Sequence, residues 1–344
     1  MTISRRKFIG QSACITAGSF AFANSSFFAQ KEIMTVNGWM PSNELGFSLS
    51  HEHVMVDFIG ADKIDPSRYD AAEVFNTALP VLLAAKEKGC KTIMECTPAF
   101  LGRDVRLLQR LSKACELNML TNTGYYGAAG EKYLPAHAYK ETANQVAARW
   151  IDEWKNGIDD SGIKPGFIKS GVDTYPLSAV QQKMVEAAAI THLATGLTFG
   201  IHTGNGQAAM EELRIIVSKG VKAEAWIWIH AQNEKNRELH VRAAKAGGWV
   251  SYDGVNSNSI SDCLEFLKDM KTENLLKQVL LSQDSGWYHV GEPKGGDYND
   301  YNTIADKLIP AMKEKGFSQS DIDLLFTINP ANAFTIRVRR KNPS

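Results

Sequence analysis

Thr198-Phe199-Gly200-Ile201-His202, a helix-patterned run from Gln207 to Lys219, then Ala225-Trp226-Ile227-Trp228-Ile229-His230: the segment 198–230 reads as strand, helix, strand, and both strands end on a histidine. Short apolar runs separated by amphipathic helical runs are the pattern of alternating β/α folds. The same unit recurs in both directions. Upstream, strands are expected at Phe47 to Ser50, Thr92 to Cys96, Met119 to Thr123 and Phe167 to Lys169; downstream, at Trp249 to Tyr252 and Val279 to Ser282. Helical patterns occupy Ala72 to Lys88, Val105 to Cys115, Tyr139 to Asn156, Ala179 to Ala194, Asn236 to Ala246 and Ile260 to Leu276.

Eight strands alternating with helices, with no Pro/Gly/Ser-rich linker between them, predict an α/β protein: a single-domain (β/α)8 TIM barrel over residues 30–344, with a short N-terminal β segment. A doubly wound sheet is the alternative. No Gly-x-Gly-x-x-Gly turn follows the first strand, which counts against its dinucleotide-binding version.

The 344 residues, 44% of them hydrophobic, suffice for one large core. The 38 acidic and 38 basic residues cancel, so no electrostatic footprint for nucleic acid or an anionic membrane is present. A small-molecule substrate is the expected partner.

The first residues differ from the rest. Ser4-Arg5-Arg6-Lys7-Phe8-Ile9-Gly10 is a twin-arginine signature, followed by a mildly apolar stretch with a small-x-small site at Ala21-Phe22-Ala23. Residues 1–29 are therefore expected to be a signal peptide directing the protein to the periplasm or outside the cell. Gln11, Ser12, Thr16, Ser19 and Asn24 make the segment too polar for a stable membrane span, and no membrane partner is expected for the mature form. Cys90, Cys96, Cys115 and Cys263 are irregularly spaced in apolar contexts without a Cys-x-x-Cys pair and read as buried thiols.

Chemistry-bearing residues gather at strand ends. His51-Glu52-His53 follows Phe47-Ser48-Leu49-Ser50, and two histidines at i and i+2 on a strand face the same side. His51 and His53 are expected to end the first strand, Lys169 the fourth, His202 the fifth and His230 the sixth, with Asp284 after the eighth. All six then lie at the C-terminal mouth, where barrel active sites are built. Lysine is the odd member, because an ammonium has no lone pair. As a carbamate formed with carbon dioxide, its two oxygens would bridge two ions roughly 3.5 to 4 Å apart.

The order His-x-His, Lys, His, His, Asp resembles the phosphotriesterase family of the amidohydrolase superfamily, which includes phosphotriesterases, lactonases and phosphotriesterase homology proteins. Further likeness lies in Thr35-Val36-Asn37-Gly38, Gly102-Arg103-Asp104-Val105, Thr123-Gly124-Tyr125-Tyr126 and Asn329-Pro330-Ala331-Asn332-Ala333-Phe334. The resemblance implies two divalent ions, zinc with manganese, cobalt or iron as variants. His51, His53 and Asp284 would hold the inner ion, His202 and His230 the outer one, and N6-carboxylated Lys169 would bridge them. It implies hydrolysis by a bridging hydroxide, with Asp284 accepting or relaying the proton and Tyr126 steadying an oxyanion or orienting a lactone ring. A homodimer is the assembly common among such proteins.

Departures bear on the substrate. Ala231-Gln232-Asn233 stands where phosphotriesterases carry an acidic pair, which puts their proton relay in doubt. Gly254 stands where relatives often place histidine, arginine or threonine, so a roomier pocket is expected. Trp287, Tyr288 and His289 on the loop after Asp284 suit an apolar or sugar-like ligand, and Gly295-Gly296 would let that loop move. His192 and His240 are expected to pack or face solvent, while His137 and His289 are candidates for substrate contact. Glu52 is expected to face away from the ligands in a supporting role, and Glu95 to orient a ligand histidine. Hydrolysis of a lactone or carboxylic ester is the first expectation, a phosphotriester the second. A catalytically impaired metal-containing binding protein is the non-enzymatic alternative.

Overall fold

Ile33 and Met34 of β1 (Glu32–Thr35) are buried where the chain begins an antiparallel hairpin with β2 (Gly38–Pro41). Gly38, at φ 115°, supplies the positive backbone angle that closes its tight turn. This is the expected N-terminal β segment. The computed structural model describes residues 31–341, so the signal segment proposed for residues 1–29 lies outside the described residues.

Strands and helices then alternate: β3 (Ser48–Val56), α1 (Ala71–Glu87), β4 (Thr92–Glu95), α2 (Val105–Cys115), β5 (Asn118–Leu120), β6 (Asn122–Thr123), α3 (Ala136–Lys140), α4 (Ala143–Asn156), β7 (Phe167–Val172) and α5 (Ala179–Thr195). They continue through β8 (Phe199–Thr203), α6 (Gly206–Ser218), β9 (Trp226–Ile229), α7 (Arg237–Lys245), β10 (Trp249–Tyr252), α8 (Ile260–Thr272), β11 (Val279–Leu281) and β12 (Gly286–His289). Two parallel sheets result, β12-β3-β4-β5 and β11-β10-β9-β8-β7-β6. They are halves of one barrel. β5 and β6 are two pieces of a single strand interrupted at Thr121. At the other seam Ser50 Oγ donates to the Leu281 carbonyl at 3.1 Å, and His51 N donates to Ser282 Oγ at 2.9 Å. The expected (β/α)8 barrel is the fold.

Period-two alternation divides the core. Met94, Cys96, Leu120, Ile227, Ile229 and Leu280 face inward, whereas their neighbours Ile93, Trp226 and Trp228 pack against the helices. Helix starts are set locally: Asp104 accepts from Arg106 N and Leu107 N, and Thr142 and Ser178 form capping boxes with Gln145 and Gln181. The Asn329–Phe334 helix closes the barrel floor, where Asn329 Nδ2 donates to the carbonyls of Leu276 and Val279, each at 2.8 Å.

Two expectations are corrected. The helix expected over Tyr139 to Asn156 is split, because Glu141 and Thr142 take extended backbone and Thr142 caps a new helix. The first strand does not end at the histidines but runs to Val56, since β12 pairs with it at His53, Met55 and Val56. All four cysteines of the described residues are free and buried, as expected. No helix among the described residues is long and apolar enough to cross a membrane.

Candidate metal centre

At the barrel mouth three atoms meet: His51 Nε2 lies 3.2 Å from His53 Nε2, and Asp284 Oδ1 lies 3.6 Å from the first and 3.2 Å from the second. Whether protons separate them follows from the other ring nitrogens. Thr97 Oγ1 donates to the Met55 carbonyl at 3.0 Å, so at 2.7 Å it accepts from His53 Nδ1–H. The buried Asp253 carboxylate, an acceptor only, takes His51 Nδ1–H at 3.1 Å on Oδ2. Both Nε2 atoms therefore present lone pairs, and Asp284 Oδ1 is a buried acceptor with no hydrogen-bond donor. Two imidazole nitrogens and one carboxylate oxygen converging without protons fit a divalent cation.

Asp253 also receives His230 Nδ1 on Oδ1 at 2.6 Å and His230 N at 3.2 Å. It thus orients histidines from two strands. The triad of His51, His230 and Asp253 is held by hydrogen bonds through Nδ1, which leaves each Nε2 to face the mouth. His202 stands edge-on to His230 with ring centroids 4.5 Å apart, and His51 lies 5.1 Å from His230. Lys169 is buried, with Nζ 5.6 Å from the Tyr126 ring, which in turn lies 5.1 Å from the His202 ring. The six expected ligand positions and Tyr126 are therefore brought to one place. Tyr126 is positioned by Gly171, where any Cβ would press within 2.9 Å of its ring.

Charge states follow from burial and neighbours. Burial drives the His53 imidazole down to about 4, and burial followed by the Lys169 charge lowers His51. Burial, His230 and Lys169 hold His202 well below the ordinary value. Neutral imidazoles are the form that coordinates metal. Burial opposes ionisation of Asp253 and Asp284, but the adjacent histidines outweigh it and keep both carboxylates well below their usual range. For His230 the same balance runs the other way: burial lowers it, yet Asp253 prevails and raises it. Burial raises the Tyr126 phenol.

The loop that carries Asp284 is clasped from beneath. Glu52 accepts from Ser282 Oγ at 2.7 Å, Gln283 N at 3.0 Å and Ser285 N at 2.7 Å. Its expected supporting role takes this form, with the carboxyl pushed up to about 8 by burial. Asp284 itself sits at φ 53°. Glu95 does not orient a histidine: it accepts from Val54 N and Thr97 N, each at 3.2 Å, and so places the Thr97 hydroxyl that does. Thr97 and Asp253 lie outside the pattern of candidate ligands that the sequence presents. Asp253 directly follows β10, the same strand-end position that marks the candidate ligands; Thr97, two residues beyond β4, carries no comparable signal.

A cavity of 510 Å³ opens beside the centre, lined by His202, His230, Asn233, Gly254, Phe266 and Asp284 among others. Gly254 lines it, and Gln232 Nε2 lies 2.6 Å from where a Cβ at that position would be. Beside His53, outside the lining of that cavity, Trp287, Phe58 and His289 form an aromatic ledge, with Trp287 5.8 Å from Phe58 and 6.2 Å from His289. The loop beyond packs closely on its neighbours. A Cβ at Gly295 would overlap the Tyr288 ring, and Tyr298, Tyr301 and the His53 carbonyl form a chain of hydrogen bonds of 2.7 Å each. His192 and His240 are buried packing residues, and His137 bonds the Tyr125 hydroxyl at 3.0 Å.

The sequence profile of the phosphotriesterase family matches residues 31–334, a span that contains the whole barrel and every residue of the centre. The chain is 25% identical over 299 residues to a phosphotriesterase homology protein of Escherichia coli, covering 86% of this chain and all of that one. It is 25% identical over 309 residues to an aryldialkylphosphatase of Saccharolobus solfataricus, covering 86% and 96% of the two chains. An N-acetyltaurine hydrolase of Dictyostelium discoideum is 26% identical over 270 residues, 73% and 70% of the two chains. In three dimensions the fold matches an organophosphorus hydrolase from Deinococcus radiodurans with a TM-score of 0.80, at 24% identity over 89% of this chain and 97% of that one. A histidine-lined barrel mouth, a profile match across the entire barrel and hydrolases among the relatives agree: this chain belongs to the phosphotriesterase family of hydrolases.

Proposed function

We propose that the protein is an exported binuclear metal-dependent hydrolase whose preferred substrate is a lactone or carboxylic ester. The observation that carries the metal reading is the meeting of His51 Nε2, His53 Nε2 and Asp284 Oδ1 with no proton to separate them. His202 and His230 supply the second imidazole pair. Lys169, buried among them, suits the bridging position as an N6-carboxylated side chain, a form that would exchange its positive charge for a negative one beside the cations. Zinc fits this donor set, as do manganese, cobalt and iron. A pair of divalent ions bound there supplies Lewis acidity and brings the pKa of water into the neutral range.

The chain's own groups then divide the remaining work. Asp253 and Thr97 hold the imidazoles in the Nδ1–H form. Asp284, one-quarter exposed, is reachable by solvent and, as a carboxylate held well below its usual range, would relay a proton released at the mouth rather than keep it. The nearness of the Tyr126 ring to His202 supports a role for its hydroxyl in steadying a developing oxyanion or orienting a ring. The 510 Å³ cavity and the Trp287 ledge provide separate surfaces for the two sides of a scissile ester.

Phosphotriester hydrolysis is the second reading, supported by the relative named aryldialkylphosphatase. A side-by-side rate comparison on acyl-homoserine lactones, simple γ- and δ-lactones and a paraoxon-like triester tests the order. A triester turned over fastest by a wide margin overturns it, and a metal-loaded protein inert to the whole panel favours a binding role. Export is supported by Arg5-Arg6 and its flanking residues, and fractionation of cells with and without an Arg5→Lys, Arg6→Lys double substitution tests it.

A further inference from the structure

We propose that Gln232 is a positioning residue of the metal centre, and that position 254 is glycine because Gln232 must reach Asp253 through the space a side chain there would fill. The inference rests on the reading of His51 and His230 as ligands. Asp253 serves both histidines with different oxygens, Oδ2 to His51 and Oδ1 to His230, so any rotation of its carboxylate loosens both at once. Gln232 holds it at two points. Its Nε2 donates to Asp253 Oδ1 at 3.1 Å, and its Oε1 accepts from Asp253 N at 3.2 Å. One amide thereby fixes the carboxylate and the backbone of the same buried residue.

The two departures flanking this contact acquire a common explanation. His230 takes a left-handed backbone, φ 63°, and the short turn that follows carries Gln232 back toward β10. A Cβ built at Gly254 would lie 2.6 Å from Gln232 Nε2. Gly254 has no positive φ, so alanine there strains no backbone and displaces only the tip of a flexible side chain. The glycine enlarges the cavity and also admits the clamp. Because Gln232 lines that cavity as well, direct contact with substrate is the competing explanation of its presence.

The test uses the metal-loaded full chain, with transfer of zinc to a chromophoric chelator as the readout. Gln232→Met keeps the volume and removes both hydrogen bonds; Gly254→Ala keeps Gln232 and pushes it away. Each should speed zinc loss about tenfold, as removal of groups that orient ligands does. The double variant should lose zinc no faster than the faster single one, because both changes break one contact. Proton signals of the His51 and His230 Nδ1–H groups, read in protein with isotope-labelled histidine, should shift in both variants. Unchanged zinc release with an altered KM alone assigns Gln232 to substrate contact and overturns the proposal, as do additive effects in the double variant. If Gln232→Met fails to fold, Gly254→Ala decides by the same readouts. A wild-type chain that holds no zinc overturns the ligand reading instead, and the histidine proton signals still decide for or against the clamp.

Discussion

Trp287 lies against the face of His53, ring centroids 4.0 Å apart at 31°, while its Nε1 donates to the Asp284 carbonyl at 2.6 Å. One side chain thus steadies a candidate ligand ring and the backbone of another candidate ligand. The contact is enforced by Gly286, where any Cβ would overlap the His53 carbonyl oxygen, so β12 presses directly on β3. Replacing Trp287 with leucine removes the aromatic contact, worth about 0.5–1.5 kcal/mol, and a hydrogen bond of about 1 kcal/mol. We expect kcat/KM to fall about tenfold or more with a loss of bound zinc, measured by steady-state kinetics and metal analysis. An unaltered zinc content with unaltered kcat/KM contradicts this role.

Asp284→Asn should separate binding from turnover. Asparagine keeps one oxygen for a cation but cannot take up a proton, so activity should drop by about 10²–10⁴-fold while much of the metal stays bound. Metal analysis beside kcat measurement checks this, and a variant with near-native kcat refutes the proton-accepting role.

Thr97→Val removes the acceptor that keeps His53 in its Nδ1–H form. The ring can then protonate on Nε2, the atom that faces Asp284. Zinc affinity should weaken about 10–100-fold, as read by competition with a chelator. Valine is close to isosteric, so the circular dichroism spectrum should not change.

Glu212 offers a pH test away from the mouth. It is fully buried in α6, accepts from Thr203 Oγ1 at 2.8 Å and Trp226 Nε1 at 2.7 Å, and burial raises its pKa from 4.5 to about 8. A folded-state pKa above the unfolded one means that the linked stability is full below pH 4.5 and is lost as pH rises through about 8. The melting temperature of the wild type should therefore fall more steeply between these values than that of Glu212→Gln. Parallel melting curves for the two proteins would argue against a raised pKa.

Much of the barrel was legible because its signals are local. The run Trp226–Ile229 is apolar on both faces, as a strand covered by helices on one side and core on the other must be, and Val105–Cys115 carries its buried residues at helical spacing. Where expectation and structure part, a non-local partner intervenes: β3 outlasts its expected end at the histidines because residues 286–289 pair with it from beyond the eighth strand. Gly295 and Gly296 take positive φ, 78° and 68°, as their backbone freedom allows, and the Tyr288 ring also occupies the Cβ position at Gly295, a contact that residue patterns do not carry.

The candidate site divides in the same way. That His51, His53, Lys169, His202, His230 and Asp284 share one mouth follows from chain direction and strand order, both readable from residue patterns, since in a parallel barrel every strand ends on the same face. Which atoms of those residues remain free is another matter. Asp253 reaches His51 across 202 positions of sequence, Glu52 reaches Ser285 across 233, and Thr97 reaches His53 across 44. Hydrogen bonds depend on tenths of an ångström and on angles set when the barrel closes, and periodicity carries no such information. Residue patterns assembled the candidate ligands; barrel closure chose the tautomers of His51 and His53, and with them the lone pairs that meet beside Asp284.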